Sequence, residues 1–195
     1  MGRPQAFDRT QVLDNAMNVF WQKGYAGASI QDLVDATGLN RGSLYNSFGD
    51  KAELFAEVMN VYRRHSPSHI LSSASPDDDV YVLFQDFFEA LIVRFENDRD
   101  HKGCLLTNTA AGFYGCSEQM TDWVCQSLAE LEALFAKLIG RGQKRGDIQC
   151  QDDPLKIARF LLSAAQGLNV MARTEACAEA LRDIAEQTLK SLKHP

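Results

Sequence analysis

The sequence predicts an all-α protein, and three observations carry that prediction. Apolar residues recur at helical spacing along nearly all of the 195 residues. No Val/Ile/Thr-rich alternation persists long enough for strands. Only five prolines interrupt the pattern. Two helical regions are expected, residues 1–50 and 51–195, with the first built as three helices.

The elements follow in order. Over residues 9–23, Val12, Ala16, Val19 and Phe20 share one stripe, and Gly24 is a stop signal. Ser29 stands before Ile30, Leu33 and Val34, with Asp32 at the third helical position. Its hydroxyl suits the orphan amides, and the early acid suits the positive helix end. Gly38 ends this short helix. Asn40 caps the next, which carries Leu44, Tyr45 and Phe48 before Gly49-Asp50 breaks it. Asp50 and Glu53 make a D-x-x-E variant of the capping box ahead of Leu54, Phe55, Val58, Met59 and Tyr62.

A stretch from His65 to Asp79, rich in Ser, Pro and Asp, reads as a connector. Val80, Phe84, Phe87, Phe88, Leu91, Ile92 and Phe95 form a wide apolar surface. Residues 103–113 are less regular. A stripe from Met120 to Leu138 is expected to end in a Gly-rich turn, Gly140–Gly146. Pro154 opens a helix at a first-turn position, with Ile157, Leu161, Ala165 and Leu168 on one face. Leu181, Ile184, Ala185, Thr188 and Leu192 mark the last.

Several classes drop out. The first 30 residues lack an apolar run followed by a small-residue cleavage site, so no signal peptide is expected. The longest uncharged runs, Gly103–Ser117 and Phe160–Ala172, are shorter than the roughly 18–20 apolar residues a bilayer requires. Five scattered cysteines, an odd number without a C-x-x-C pair, suggest neither a disulfide framework nor a zinc site, and a reducing cytoplasm is the expected setting. No H-E-x-x-H, G-x-S-x-G, Walker loop or G-x-G-x-x-G occurs. His65 and His69 are four apart, but Pro67 spoils a regular helix between them. An enzyme, a metal and a cofactor are therefore not expected.

The charge balance first opposes nucleic acid. Lys and Arg number 20 against 26 Asp and Glu, a net of −6. Divided, residues 1–64 hold 7 of each sign, while residues 65–195 hold 13 against 19. The acidity belongs to the second region. A neutral first region predicts few neutralised phosphates and weak non-specific binding.

Ser29–Lys51 is the informative segment. Two short helices joined by a Gly-containing turn, behind a longer one, make a helix-turn-helix. The second short helix of such a unit enters the major groove N-terminus first. Here that end offers Asn40, Arg41, Gly42 and Ser43, and one turn later Asn46 and Ser47. Leu44 and Phe48 would pack inward. Arg41 suits the O6/N7 edge of guanine, and Gly42 allows close backbone approach. The pattern alone also fits an exposed helical hairpin in an unrelated all-α protein.

The run Gly24-Tyr25, Ser29-Ile30-Gln31-Asp32-Leu33-Val34 and Thr37 through Phe55 closely resembles the DNA-binding domain of the TetR family of bacterial transcriptional regulators. The resemblance implies a one-component regulator, a repressor that binds a palindromic operator in double-stranded DNA as a homodimer. It places Tyr45 and Lys51 on DNA phosphates, and Ser29 and Gln31 at the backbone or groove edge. Lys51 has an independent rationale: a cation in a first turn opposes the macrodipole and is better placed with an anion nearby. Ser47 stands where the family often has histidine, which puts that contact in doubt. Arg3, on an arm of the family's kind, is a candidate for the minor groove.

The resemblance also implies that residues 51–195 are a ligand-binding and dimerisation domain, with a small-molecule effector that shifts the dimer away from DNA. Phe84, Phe88, Phe95, Asn108, Phe113, Trp123 and Gln166 are the candidate lining, from faces that look too apolar with polar groups interspersed. Cys104, beside His101 and Lys102, is a further candidate, with a small buried hydrophobe as the plainer reading. Helices 154–173 and 176–192 are the expected dimer surface, where Ala164, Ala165, Ala172, Ala178 and Ala185 would permit close approach. Burial inside one subunit would look the same. A helical ligand-binding protein or enzyme with no DNA role stays as the alternative.

Overall fold

The computed structural model describes residues 7–112, 118–174 and 177–193, and the side chain of Gln119 is not among those described. Arg3 and Phe113 lie outside the described residues.

The first helix, α1, runs Arg9–Gly27 and starts where Asp8 accepts the amides of Thr10 and Gln11. Gly24 interrupts it at φ 71°, a left-handed conformation that glycine adopts without a Cβ penalty. Beyond lie α2, Ile30–Thr37, and α3, Arg41–Phe48. Helix α4, Lys51–His65, carries Leu54, Phe55, Val58, Met59 and Tyr62 at helical spacing. These residues and the α1 stripe form one core, completed by Leu33 of α2, Leu44 and Phe48 of α3, and residues from farther along the chain.

The connector holds one short helix, α5, Ser68–Ser72. Helix α6 spans Val80–Asn97, with Asp79 accepting the amide of Val82. The irregular segment contains α7, Leu105–Ala111. Helix α8 is longer than the sequence suggests. It runs Glu118–Arg145, 28 residues or about 42 Å, straight through the expected turn at Gly140. The reason is packing. A Cβ on Gly142 would stand 2.5 Å from Ile148 Cγ1 and 2.9 Å from Val80 Cβ, so this glycine admits α6 and a returning loop against the helix. Helices α9, Pro154–Met171, and α10, Ala178–Lys190, complete the chain, with a 3-10 turn Ala172–Thr174 after α9.

A second core joins α6, the C-terminal half of α8, α9 and α10, with Phe84, Phe88, Phe135, Leu161 and Leu168 at its centre. Leu105 and Leu106 of α7 and Met120 and Val124 of α8 belong instead to the first core. Helices α7 and α8 therefore tie the two regions together. Among the described residues no helix is long and apolar enough to cross a membrane.

Ala165, Ala172 and Ala185 are buried within the subunit, so they do not present a surface to a partner. The outward face of α9 carries instead Phe160 and Val170, each 52% exposed, with Gly167 open beside them.

Candidate nucleic-acid interface and adjoining cavity

Each short helix is set by its own cap. At α2 the Ser29 hydroxyl accepts the Asp32 amide at 3.1 Å, and the Asp32 carboxylate accepts the Ser29 amide at 2.9 Å and its hydroxyl at 2.7 Å. Lys23 of α1 reaches the other Asp32 oxygen at 2.5 Å. Those hydrogen bonds, from Lys23 first and then Ser29, hold the Asp32 carboxyl well below the usual carboxylate range. At α3 the Asn40 side chain accepts the Ser43 amide at 2.8 Å. At α4 Asp50 and Glu53 close the capping box, with Glu53 Oε2 accepting the Asp50 amide at 2.9 Å.

This fixes what α3 shows to solvent. Leu44 and Phe48 are buried, while Arg41, Gly42 and Asn46 are exposed and Ser43, Tyr45 and Ser47 are half-buried. Arg41 lies over the Tyr45 ring at 5.6 Å, which gathers the guanidinium and the phenol on one end of the helix. Lys51, at the first position of α4, sits over the Tyr25 ring at 4.5 Å. Asn40 is committed to its cap, and so is the Ser29 hydroxyl. The exposed Gln31 amide donates to Asp35 at 2.7 Å.

Arg9 has a role that sequence reading missed. Its guanidinium donates to the Ser47 carbonyl at 3.1 Å and to both Glu57 oxygens at 2.6 and 2.7 Å, and it stacks on Phe48 at 4.3 Å. One residue at the start of α1 thus pins the end of α3 to α4. An unmatched cation opening an otherwise amphipathic helix was the only available signal.

The far end of α4 borders a narrow cavity of ≈ 50 Å³ between α4, α6, α7, α8 and α9. Its wall includes Tyr62, Phe87, Leu91, Arg94, Cys104, Leu131, Phe135, Gln166 and Asn169. Arg94 Nη1 donates to the Tyr62 hydroxyl at 3.0 Å, and Nη2 donates to Asn169 Oδ1 at 2.8 Å. The Tyr62 hydroxyl donates to Cys104 Sγ at 3.3 Å. Burial is the first cause that pushes the Tyr62 phenol far above its usual value, which keeps it a neutral donor. Thr107 donates to Gln166 Oε1 at 2.5 Å.

Of the residues anticipated as lining, Cys104 and Gln166 stand in this wall. Phe84, Phe88, Phe95, Asn108 and Trp123 do not. Phe84 packs edge-on against Phe135 at 5.2 Å, Phe88 lies in the same core, and Arg94 covers Phe95 at 5.2 Å. Asn108 spends its amide on the Lys102 carbonyl at 2.6 Å, and Trp123 meets Phe55 at 6.4 Å. Helix α6 is buried at eight positions, and the turn facing the cavity is that of Phe87 and Leu91.

Residues 12–58 match the family model for bacterial regulatory proteins of the tetR family, and residues 84–188 match that for tetracyclin repressor-like C-terminal domains. The chain is 33% identical over 190 residues to the transcriptional repressor ComR of Escherichia coli K12, covering 97% of this chain and 90% of that protein. It is 27% identical over 172 residues to the repressor BdcR of the same organism, covering 88% and 82%. Among solved structures, a cysteine-substituted CifR in complex with a 26 bp operator DNA superposes with a TM-score of 0.84 at 31% identity. That match covers 98% of this chain and 100% of the other.

Proposed function

The chain belongs to the tetR family of bacterial regulatory proteins and is a DNA-binding transcriptional regulator, and from that premise we propose that it is a cytoplasmic repressor, not an enzyme, released from a palindromic operator by a small effector. The observation that carries the DNA reading is the presentation of α3: two buried anchors, and an exposed end bearing Arg41, Gly42 and Asn46. In this reading Arg41 and Asn46 read base edges. Tyr45, Lys51, Ser43 and Ser47 meet phosphates, and Arg3 belongs to the neighbouring minor groove. Ser29, Gln31 and Asn40 serve by placing the helices, with their backbones close to the DNA.

A single helix-turn-helix reads only a few base pairs, so two copies are required, with reading helices about one helical turn or a multiple apart, roughly 34–36 Å per turn. The unpartnered α9 face of Phe160, Gly167 and Val170 supports homodimerisation there. We place the boundary between reading and regulatory parts at the start of α4, because α4 serves both. Its first residue, Lys51, borders α3, and its Tyr62 stands in the cavity wall. An occupant that moves Tyr62 moves the lever on which the reading head sits. It acts as an effector only if it binds the two positions of α4 with different affinity.

The test is a gel shift and footprint on the DNA flanking the protein's own gene, with a salt titration. A protected palindrome and affinity falling with salt are expected. Absence of any shift at low salt on every flanking fragment overturns the proposal.

A further inference from the structure

The cavity wall is electrostatically one-sided. Two guanidinium groups, Arg63 and Arg94, stand in it, and no carboxylate does among the described residues. Arg63 is compensated at the rim by Glu130 at 2.9 Å. Arg94 is not. Among the described residues its hydrogen-bond partners are a phenol and an amide oxygen, both neutral, and its Nε is buried with no acceptor. A guanidinium does not deprotonate in proteins, so it cannot shed this charge. Arg94 is half-buried with its Nε shut off from solvent, and the natural complement of such a cation without an anion is a planar anion that accepts from the open N–H. Beyond Arg94 the wall turns apolar, through Phe87, Leu91, Phe135 and Leu162.

We propose that the effector is an amphipathic monocarboxylate, its carboxylate held by Arg94 and its slim apolar body laid along Leu91, Phe135 and Leu162. This rests on the reading of the cavity as the effector site. It also supplies a coupling. Arg94 joins α6 to α4 through Tyr62 and to α9 through Asn169. A carboxylate that accepts from Nε–H and a neighbouring Nη–H draws the guanidinium away from the position it shares with Tyr62 and Asn169, so binding loosens Tyr62 and with it the C-terminal end of α4. A cavity of ≈ 50 Å³ must widen to admit an acyl chain, which pushes in the same direction.

The experiment titrates the full chain with straight-chain acids from butanoate to decanoate, and with the primary amides of the same lengths. Thermal melting and operator gel shift are the readouts. The acids are expected to raise Tm and release DNA at concentrations at least about tenfold lower than the amides, since a charge-assisted hydrogen bond is stronger than a neutral one. Arg94→Gln removes that preference and Arg94→Lys keeps part of it, with the far-ultraviolet circular dichroism spectrum of each variant as the check on folding. The acid-to-amide ratio in the unmodified protein stands even if the variants do not fold. Equal action of acids and amides, abolished by Leu91→Trp, overturns the charge assignment and leaves the cavity reading standing. An acid response that survives Leu91→Trp overturns both. Silence of both series overturns the carboxylate proposal.

Discussion

Arg9 lies over Phe48, its guanidinium carbon 4.3 Å from the ring centre. The same group also holds the Ser47 carbonyl and Glu57. The contact joins the end of α3 to α1 and α4, so it sets the angle of α3. Both ion-pair partners are more than a third exposed, so screening leaves the pair little worth, and the stacking adds about 0.5–1 kcal/mol. Arg9→Ala is expected to lower stability by about 1 kcal/mol and operator affinity by roughly fivefold, with the base preference intact. Chemical denaturation and binding to a panel of operator variants measure the two effects separately.

Arg41 and Lys51 are predicted to fail differently. Arg41→Ala costs about 1–3 kcal/mol on the matched operator and relaxes preference at one base pair per half-site. Lys51→Met weakens binding to all sequences alike and lowers the salt slope by about 1 per contact. A salt titration on matched and mutated operators distinguishes them.

Asp32 gives the reading head an acid limit. Its carboxyl is held well below the ordinary value by Lys23 and Ser29. Its contribution is therefore complete above the unfolded pKa, about 3.9, and is lost as pH falls through the lower folded value. Stability of the unmodified protein should fall in that acid window. Asp32→Asn should be less stable at neutral pH and should lack this component of the fall. Parallel melting curves from pH 2 to 7 show whether the two profiles converge.

Two helical glycines should respond in opposite senses. Gly142→Ala drives a methyl into Ile148 and Val80 and is expected to cost about 1–3 kcal/mol. Gly167→Ala meets nothing within 4 Å and, within the subunit, gains up to about 1 kcal/mol from helix propensity. Urea unfolding midpoints at matched protein concentration report both.

Phe160→Arg should convert the dimer to a monomer. It places a charge on the apolar face of α9, at a residue that is 52% exposed. Sedimentation should show one chain per particle, and binding to a full palindrome should fall to that of a half-site. A variant still dimeric would move the interface elsewhere.

What was legible in the chain was local. Ser29 with Asp32, Asn40, and Asp50 with Glu53 cap helices through residues two or three apart, so a short stretch of sequence contains the whole interaction. The packing of Leu44 and Phe48 beneath Arg41 and Asn46 follows from 3.6-residue periodicity alone. The cavity was only half legible. Cys104 and Gln166, read from the sequence as candidate lining, stand in its wall. On α6 the choice fell on Phe84 and Phe88 instead of Phe87 and Leu91, because a helix buried on most of its circumference does not reveal which neighbour each face meets.

The sequence by itself determined that the chain is helical, where the short helices α2 and α3 start and stop, which end of α3 faces outward, and the family resemblance. These depend on backbone capping and on a periodicity that needs no partner. Tertiary structure alone decided that Arg9 braces α3, that Arg94 links Tyr62 on α4 to Asn169 on α9, and that α8 continues through Gly142. Each joins residues remote in sequence or depends on how closely another element approaches. Such distances are set by the packing of whole helices, which no local pattern encodes.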